Sequence, residues 1–282
     1  MNIETIKARS RIIGAIRRFF DERGFIEVDT AVRIAAPAPE PHIDCPRVVT
    51  GGFLRASPEL QMKKLLAAGM DKIYQIGPCF REGERGSRHN PEFTMLEWYR
   101  REATYRDIAD DLKELLTCGI IAKFHNSTIP QFQTVTVREA YRKFAGWDPW
   151  EGAWDGDRFD FDMATKIEPA LKTMGAVFLT DYPPQCASLA KISGDIAERW
   201  EFYWDGLELA NCFTELCDGS EQRRRFNAAR EERRVIGEDD YPIDDDFLGC
   251  LDEIKSAAGV ALGIDRLVMC IIGAKDISAV RA

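Results

Sequence analysis

Three stretches of this chain place charged side chains where their neighbours allow chemistry. The first, Phe80-Arg81-Glu82-Gly83-Glu84-Arg85-Gly86-Ser87-Arg88-His89-Asn90-Pro91-Glu92-Phe93, holds three arginines and a histidine between aromatic residues. Arginine presents a planar fork that matches phosphate oxygens, and phenylalanine presents a stacking face, so the pattern suits a polyanion attached to a flat ring. Taken alone it also fits a solvated, charged hairpin. The second, Gly206 to Glu215, sets Glu208, Asn211 and Glu215 in a strongly apolar run. A carboxylate buried there without a partner costs several kcal/mol, so it calls for a metal, an arginine or a substrate ammonium. The alternative is an edge strand whose acids face water. The third, Gly259 to Met269, puts Asp265-Arg266 where a glycine-punctuated strand meets an apolar helix, which a buried structural ion pair would also explain. No one of the three decides a function.

The elements that must position these residues can be read from periodicity. Ile12, Ile13, Ile16, Phe19 and Phe20 fall on one helical stripe within residues 8–23, Gly24 supplies a stop, and Phe25 to Val28 reads as a strand. Residues 35–41 are too rich in proline for regular structure. Ser57-Pro58-Glu59 has the makings of a helix start, with serine capping and proline at the first position, and predicts a helix to about Ala68. A short strand is expected over Lys72 to Ile76, a hairpin with a long charged loop over residues 80–93, and a helix over Asp107 to Leu116. Between about 120 and 200 short strands and helices mix around a Trp/Gly-rich loop, Gly146 to Asp157. Strands and helices do not alternate regularly, which favours α+β over a doubly wound parallel sheet. No linker or repeat divides the chain, so one domain over residues 1–282 is expected.

Bulk properties narrow the classes. The 282 residues carry 38 Lys and Arg against 47 Asp and Glu, a net charge of −9. Binding nucleic acid through its phosphates needs a basic face, so this balance weighs against it. The eight cysteines form no C-x-x-C pair and only three histidines are present, so no zinc site of standard spacing is expected. Scattered cysteines read as small buried hydrophobes in a reducing cytosol. The amino terminus has no apolar core of a signal peptide, and Val260 to Ala274 is too short and too charged to span a bilayer, so a cytoplasmic protein without membrane association is expected.

Together and in this order, the three stretches resemble the catalytic domain of class II aminoacyl-tRNA synthetases, and within that class the lysyl branch. Phe80-Arg81 through His89-Asn90-Pro91-Glu92-Phe93 and on to Thr94-Met95-Leu96-Glu97-Trp98-Tyr99 matches the second class motif, an FRxE loop with an HxxxF return. Gly259 to Arg266 matches the third motif, and residues 8–30 match the first. The resemblance covers nearly the whole chain. It is strongest to the stand-alone lysyl paralogues that modify elongation factor P: Leu96-Glu97-Trp98-Tyr99 and Ala261, where lysyl synthetases usually have Gly, follow that group, and no anticodon-binding domain is expected before a helix that begins almost at Met1. The implied fold is an antiparallel sheet flanked by helices.

The resemblance also implies roles. Arg81 would hold the α-phosphate of ATP, Phe93 would stack on adenine, Arg266 would bind the γ-phosphate, and Arg88 and His89 would complete the phosphate cradle; Arg81, Glu208 and Arg266 are the implied catalytic set. Glu208 would ligate Mg²⁺. Lysine or β-lysine would be held by Ser57, Glu59, Glu97, Tyr99, Asn211, Glu215 and Ala261, with Glu215 and Tyr99 at the side-chain ammonium, Glu59 near the α-amino end and Asn211 on the carboxylate. Ala261 would fill space on the α-amino side, compatible with the displaced amino group of β-lysine. The implied reaction is adenylation of the amino acid followed by transfer to a lysine of elongation factor P, by a homodimer and without tRNA. The alternatives are a truncated tRNA-charging enzyme and a regulatory paralogue that binds lysine or ATP without chemistry; retention of Arg81, Glu208 and Arg266 weighs against the latter. Three positions depart from the family pattern. Gly83 stands where the FRxE glutamate is usual, so either Glu84, the preferred reading, or Glu82 takes its place or the contact is lost; Ala31 replaces the proline of the first motif at the dimer interface; and Cys212 follows Asn211 where Gly is common.

Overall fold

The computed structural model describes residues 3–118 and 131–281. Helix α1 (Ile3–Asp21) buries Ile12, Ala15, Ile16, Phe19 and Phe20 along one stripe. It starts five residues before the periodic pattern becomes visible, and the turn after it closes at Gly24, whose φ of 73° suits a residue without Cβ. Strands β1 (Ile26–Glu27), β2 (Arg33–Ile34) and β3 (Phe53–Leu54) are short, and residues 35–44 between them are irregular as their prolines require. Helix α2 (Glu59–Ala67) begins one residue later than expected, and Ser57 Oγ accepts a hydrogen bond from Glu59 N at its start. Strands β4 (Lys72–Phe80) and β5 (Glu92–Arg101) form the expected hairpin with longer arms, followed by α3 (Tyr105–Thr117).

Beyond residue 131 come β6 (Phe132–Thr136), the short helices α4 (Val137–Ala140), α5 (Gly156–Asp162) and α6 (Glu168–Lys172), then β7 (Ala176–Tyr182) and β8 (Ile192–Ser193). The part of the mixed-structure reading that falls on residues 119–130 lies outside the described residues. The remaining elements are β9 (Ile196–Trp204), β10 (Leu207–Thr214), α7 (Gly219–Ile236), α8 (Asp245–Cys250), β11 (Ala257–Gly263) and α9 (Ile264–Ile272).

Nine of these strands form one sheet in the order β1-β4-β5-β11-β10-β9-β7-β6, with β8 beside β9. The class is α+β, but the sheet is mixed rather than wholly antiparallel. Pairing is antiparallel from β4 through β7, and the marginal pairs β1/β4 and β6/β7 are parallel. The acidic run of residues 206–215 is therefore no edge: β10 lies between β11 and β9.

Alternation along the central strands separates the two faces. Leu96 and Trp98 of β5, Val260 and Leu262 of β11, Cys212 of β10, and Trp200 and Phe202 of β9 join the main core with α1, α3 and α9. The opposite face carries Glu97, Ala261, Asn211 and Glu201 in one cross-strand row, with Tyr99, Gly259, Phe213 and Arg199 in the next. Gly259 has a steric reason: a Cβ there would lie 2.1 Å from the Tyr99 ring.

Strict alternation would leave Glu208 facing the core, out of phase with Asn211. The β9/β10 register shifts between Glu208 and Ala210, so Leu209 and Ala210 both pack on the core side and Glu208 sits opposite Tyr203. This bulge, a device common beside active sites, turns the carboxylate to the polar face.

Candidate active site

The polar face of the sheet forms the floor of a cleft of about 360 Å³ whose lining includes Arg81, Glu208 and Arg266, drawn from three separate segments. Arg81 leaves the end of β4 and lies with its guanidinium carbon 5.3 Å from the Phe93 ring centroid, one strand of the hairpin facing the other. Glu84 Oε1 lies 3.4 Å from Arg81 Nη1 and also lines the cleft, whereas Gly83 occupies a turn at φ 78°, a conformation costly for glutamate. The backbone thus explains why glycine stands at the family's glutamate position and why an acid one residue on reaches the cleft.

Arg266, in the first turn of α9, reaches two segments, β10 and the charged hairpin loop. Its Nη1 donates to the Glu208 carbonyl at 2.8 Å, its Nε donates to the Arg88 carbonyl at 3.3 Å, and its Nη2 is 2.6 Å from His89 Nε2. Burial, then the Arg266 charge, lowers the His89 pKa, so near neutrality its ring is uncharged and can accept from Arg266. Burial raises the Glu208 pKa to about 6, with neighbouring Glu201 adding to the effect and Arg266 and Arg81 opposing it. The neighbouring Asp265 is not the partner of Arg266: its carboxylate pairs with Arg9 Nη1 at 2.5 Å and accepts from Thr94 N at 2.9 Å. Asp265 is held in a buried ion pair with Arg9, while Arg266 turns toward Glu208 and the charged hairpin loop; adjacent helical residues point about 100° apart.

The other end of the cleft is acidic. Glu97, fully buried, accepts from Ser57 Oγ at 2.7 Å and from the Tyr99 hydroxyl at 2.8 Å, and burial followed by repulsion from Glu59 raises its pKa to about 7. Glu59 and Glu215, which the resemblance assigns to opposite ends of the amino acid, meet instead on one internal cation: Lys63 Nζ is 2.5 Å from each. Burial still raises the Glu215 pKa, and its Oε1 has no hydrogen-bond partner among the described residues. Asn211 Oδ1 accepts from Arg199 Nε at 3.2 Å, which leaves its amide hydrogens for a ligand acceptor, and Ala261 forms the floor between Asn211 and Glu97.

Sequence reasoning missed Lys63, Arg199 and Glu201. Lys63 lies four residues after Glu59 on α2, an i,i+4 ion pair readable from spacing. Arg199 and Glu201 alternate with aromatic residues on β9 and pair at 2.5 Å, with Tyr203 donating to Glu201 at 2.7 Å. Charged residues at alternate positions of an aromatic strand were the available signal. Among the described residues there is no group of three or more His, Cys, Asp or Glu able to hold a metal. The two neighbouring carboxylates, Glu201 and Glu208, nevertheless fit Mg²⁺, which commonly binds through one or two carboxylates with substrate phosphates and water completing its octahedron.

The chain matches the family model for class II tRNA synthetases (D, K and N) over residues 2–282. The elongation factor P (R)-β-lysine ligase of Histophilus somni is 36% identical over 311 residues, covering 99% of this chain and 94% of that protein. Those of Pasteurella multocida and Proteus mirabilis are 36% and 34% identical over 313 and 323 residues, each alignment covering 100% of this chain and 95% of the relative. The sheet, the three-segment cleft and this match define an aminoacyl-adenylate-forming enzyme of the class II synthetase type. The chain belongs to the class II tRNA synthetase (D, K and N) family and, within it, to the branch of the elongation factor P (R)-β-lysine ligases.

Proposed function

We propose that this enzyme uses ATP and Mg²⁺ to adenylate lysine or (R)-β-lysine and transfers the aminoacyl group to a lysine side chain of elongation factor P. The observation that carries the reading is the convergence of Arg81, Glu208 and Arg266 on one cleft that Ser57, Glu59, Tyr99 and Glu215 also line, with buried Glu97 hydrogen-bonded to Ser57 and Tyr99. In the first step a carboxylate oxygen of the amino acid attacks the α-phosphorus, the bond to the bridging oxygen breaks, and pyrophosphate leaves. Arg81 offsets the charge that builds on the α-phosphate oxygens, and a preorganised cation in a dry cleft is effective at this. Phe93 stacks on adenine, Arg266 takes the γ-phosphate, and Arg88, His89 and Glu84 close the nucleotide site. Glu208, with Glu201 beside it, would hold Mg²⁺, whose contribution is neutralisation of phosphate charge. In the second step the uncharged acceptor amine attacks the acyl carbon, the bond to AMP breaks, and the amine loses its extra proton. Positioning suffices for both displacements, and no covalent enzyme intermediate is needed.

The acids of the pocket favour a substrate with two ammonium groups, and a neutral isostere would leave a desolvated carboxylate unpaired. Ala261 narrows the floor by one methyl relative to glycine, which suits an amino group displaced by one carbon. A single domain acting as a homodimer in the cytoplasm, without tRNA, completes the reading; among the described residues no helix is long and apolar enough to cross a membrane. The test is incubation with ATP, Mg²⁺ and each lysine isomer, with elongation factor P and tRNA in separate reactions. Intact mass should show one lysyl unit added to the protein acceptor, with greater kcat/KM for (R)-β-lysine than for α-lysine and no acid-precipitable label on tRNA. Labelled tRNA with unmodified protein would contradict it.

A further inference from the structure

Arg199 lines the cleft, yet neither the motifs nor the relatives' names assign it a role. It stands on β9 with Glu201 and Tyr203 at the next alternate positions, which share one face of the strand. Three hydrogen bonds fix its guanidinium. Nε donates to Asn211 Oδ1 of β10 at 3.2 Å, Nη1 to the Cys186 carbonyl at 2.9 Å, and Nη2 to Glu201 Oε1 at 2.5 Å. The Tyr182 ring lies against the same group, its centroid 4.4 Å from the guanidinium carbon. Tyr203 donates to the other Glu201 oxygen at 2.7 Å, so the carboxylate that receives Nη2 is itself held. A planar fork tied at three points and stacked on a ring cannot turn without breaking several contacts at once.

That rigidity decides which way an amide points. Asn211 also lines the cleft, and an asparagine can present either its oxygen or its two hydrogens to a ligand. The Nε of arginine carries a hydrogen and can only donate, so it takes the Asn211 oxygen and leaves the NH2 group turned elsewhere. The amide nitrogen makes no hydrogen bond among the described residues, so both hydrogens remain for an acceptor in the cleft. Without Arg199 the oxygen would be equally free to face the cleft, where it would repel a carboxylate. A lysine in place of Arg199 would keep a positive charge beside Glu201. It has no fork to hold Asn211, Cys186 and Glu201 together, so it separates the amide lock from the charge.

We infer that Arg199 is a positioning residue that locks the Asn211 amide with its hydrogens toward the carboxylate of the amino-acid substrate. The inference rests on the proposed lysine adenylation. Its test is lysine-dependent ATP–pyrophosphate exchange by Arg199→Lys, Asn211→Ala and the double variant. The competitive inhibitor 1,5-diaminopentane, which has two ammonium groups and no carboxylate, serves as the control ligand. Arg199→Lys should raise lysine KM by about tenfold, the scale of one hydrogen bond to a charged group, with ATP KM and the 1,5-diaminopentane inhibition constant within about twofold of the unsubstituted enzyme. In the Asn211→Ala background the same substitution should change lysine KM by less than about twofold, because the amide it acts through is gone. Asn211→Asp carries the test if Arg199→Lys fails to fold. It keeps an oxygen for Arg199 but has no amide hydrogens, so lysine KM should rise by about tenfold or more without weaker inhibition by 1,5-diaminopentane. Lysine KM unchanged in Arg199→Lys, equal losses for lysine and 1,5-diaminopentane, or a full effect persisting in the Asn211→Ala background would overturn the inference. So would a lysine KM unchanged or lowered in Asn211→Asp. Absence of lysine-dependent exchange in the unsubstituted enzyme would instead overturn the proposed function, and the role of Arg199 with it.

Discussion

Lys63 is almost wholly buried, and its ammonium bridges the carboxylates of two different segments, α2 and the end of β10. Removing one member of a buried ionic group leaves its partners desolvated and unpaired, so Lys63→Met should destabilise the fold by about 3–5 kcal/mol in urea unfolding. A loss below about 1 kcal/mol would place those acids in contact with water. Glu97 adds a pH dependence. Its pKa rises from 4.5 to about 7 on folding, so the folded state retains a proton that the unfolded chain releases. Its contribution to stability is therefore lost as pH rises from about 4.5 to about 7 and is level above that. Lysine binding runs the opposite way, because an ammonium pairs with the ionised form. The profile of kcat/KM for lysine reports free-enzyme groups and should rise through about pH 7, and Glu97→Gln should lower it and remove that step. A profile identical in the variant would separate Glu97 from the substrate.

At the scale of elements, α1, α2, α3 and the hairpin were legible because their apolar periods or start signals are strong, whereas the polar helix α7 was not read from the sequence. The α1 stripe and the Arg81-to-Phe93 hairpin lie where residue patterns put them and α2 starts one residue later, with strand lengths the least accurate part. The orientation of Glu208 was not legible from spacing, because a bulge reverses the phase of β10 and alternation points the residue the other way. The Lys63 bridge was half legible: Glu59 and Lys63 are helical neighbours, but the third member, Glu215, arrives from 152 residues away in sequence through sheet packing. Gly259 supplies a test of how the sheet positions the pocket. Gly259→Ala must displace the Tyr99 ring, whose Cδ1 would be 2.1 Å from the added carbon. Tyr99 donates to Glu97, so the substitution should raise lysine KM by about tenfold or more while leaving ATP KM within about twofold. Parallel losses for both substrates would mean that the sheet, rather than Tyr99, had moved.

Across the whole molecule, one sheet separates two tasks. The face toward α1, α3 and α9 is an aromatic and aliphatic core, and the opposite face carries the charged residues that line the cleft. Distant segments brace that cleft: Arg9 of α1 and Arg281 near the carboxyl terminus reach Asp265, and Ile277 N donates to the Ser87 carbonyl in the motif hairpin. The net charge of −9 fits a protein acceptor better than a polyanionic one. The most direct test of the central claim is lysine-dependent ATP–pyrophosphate exchange measured for the unsubstituted enzyme and for Glu208→Gln. Exchange that requires Mg²⁺ and lysine or β-lysine, and that disappears in a folded Glu208→Gln variant, is the expected result. Exchange persisting near the unsubstituted rate in the variant, or absent from the unsubstituted enzyme with either lysine isomer, would contradict it.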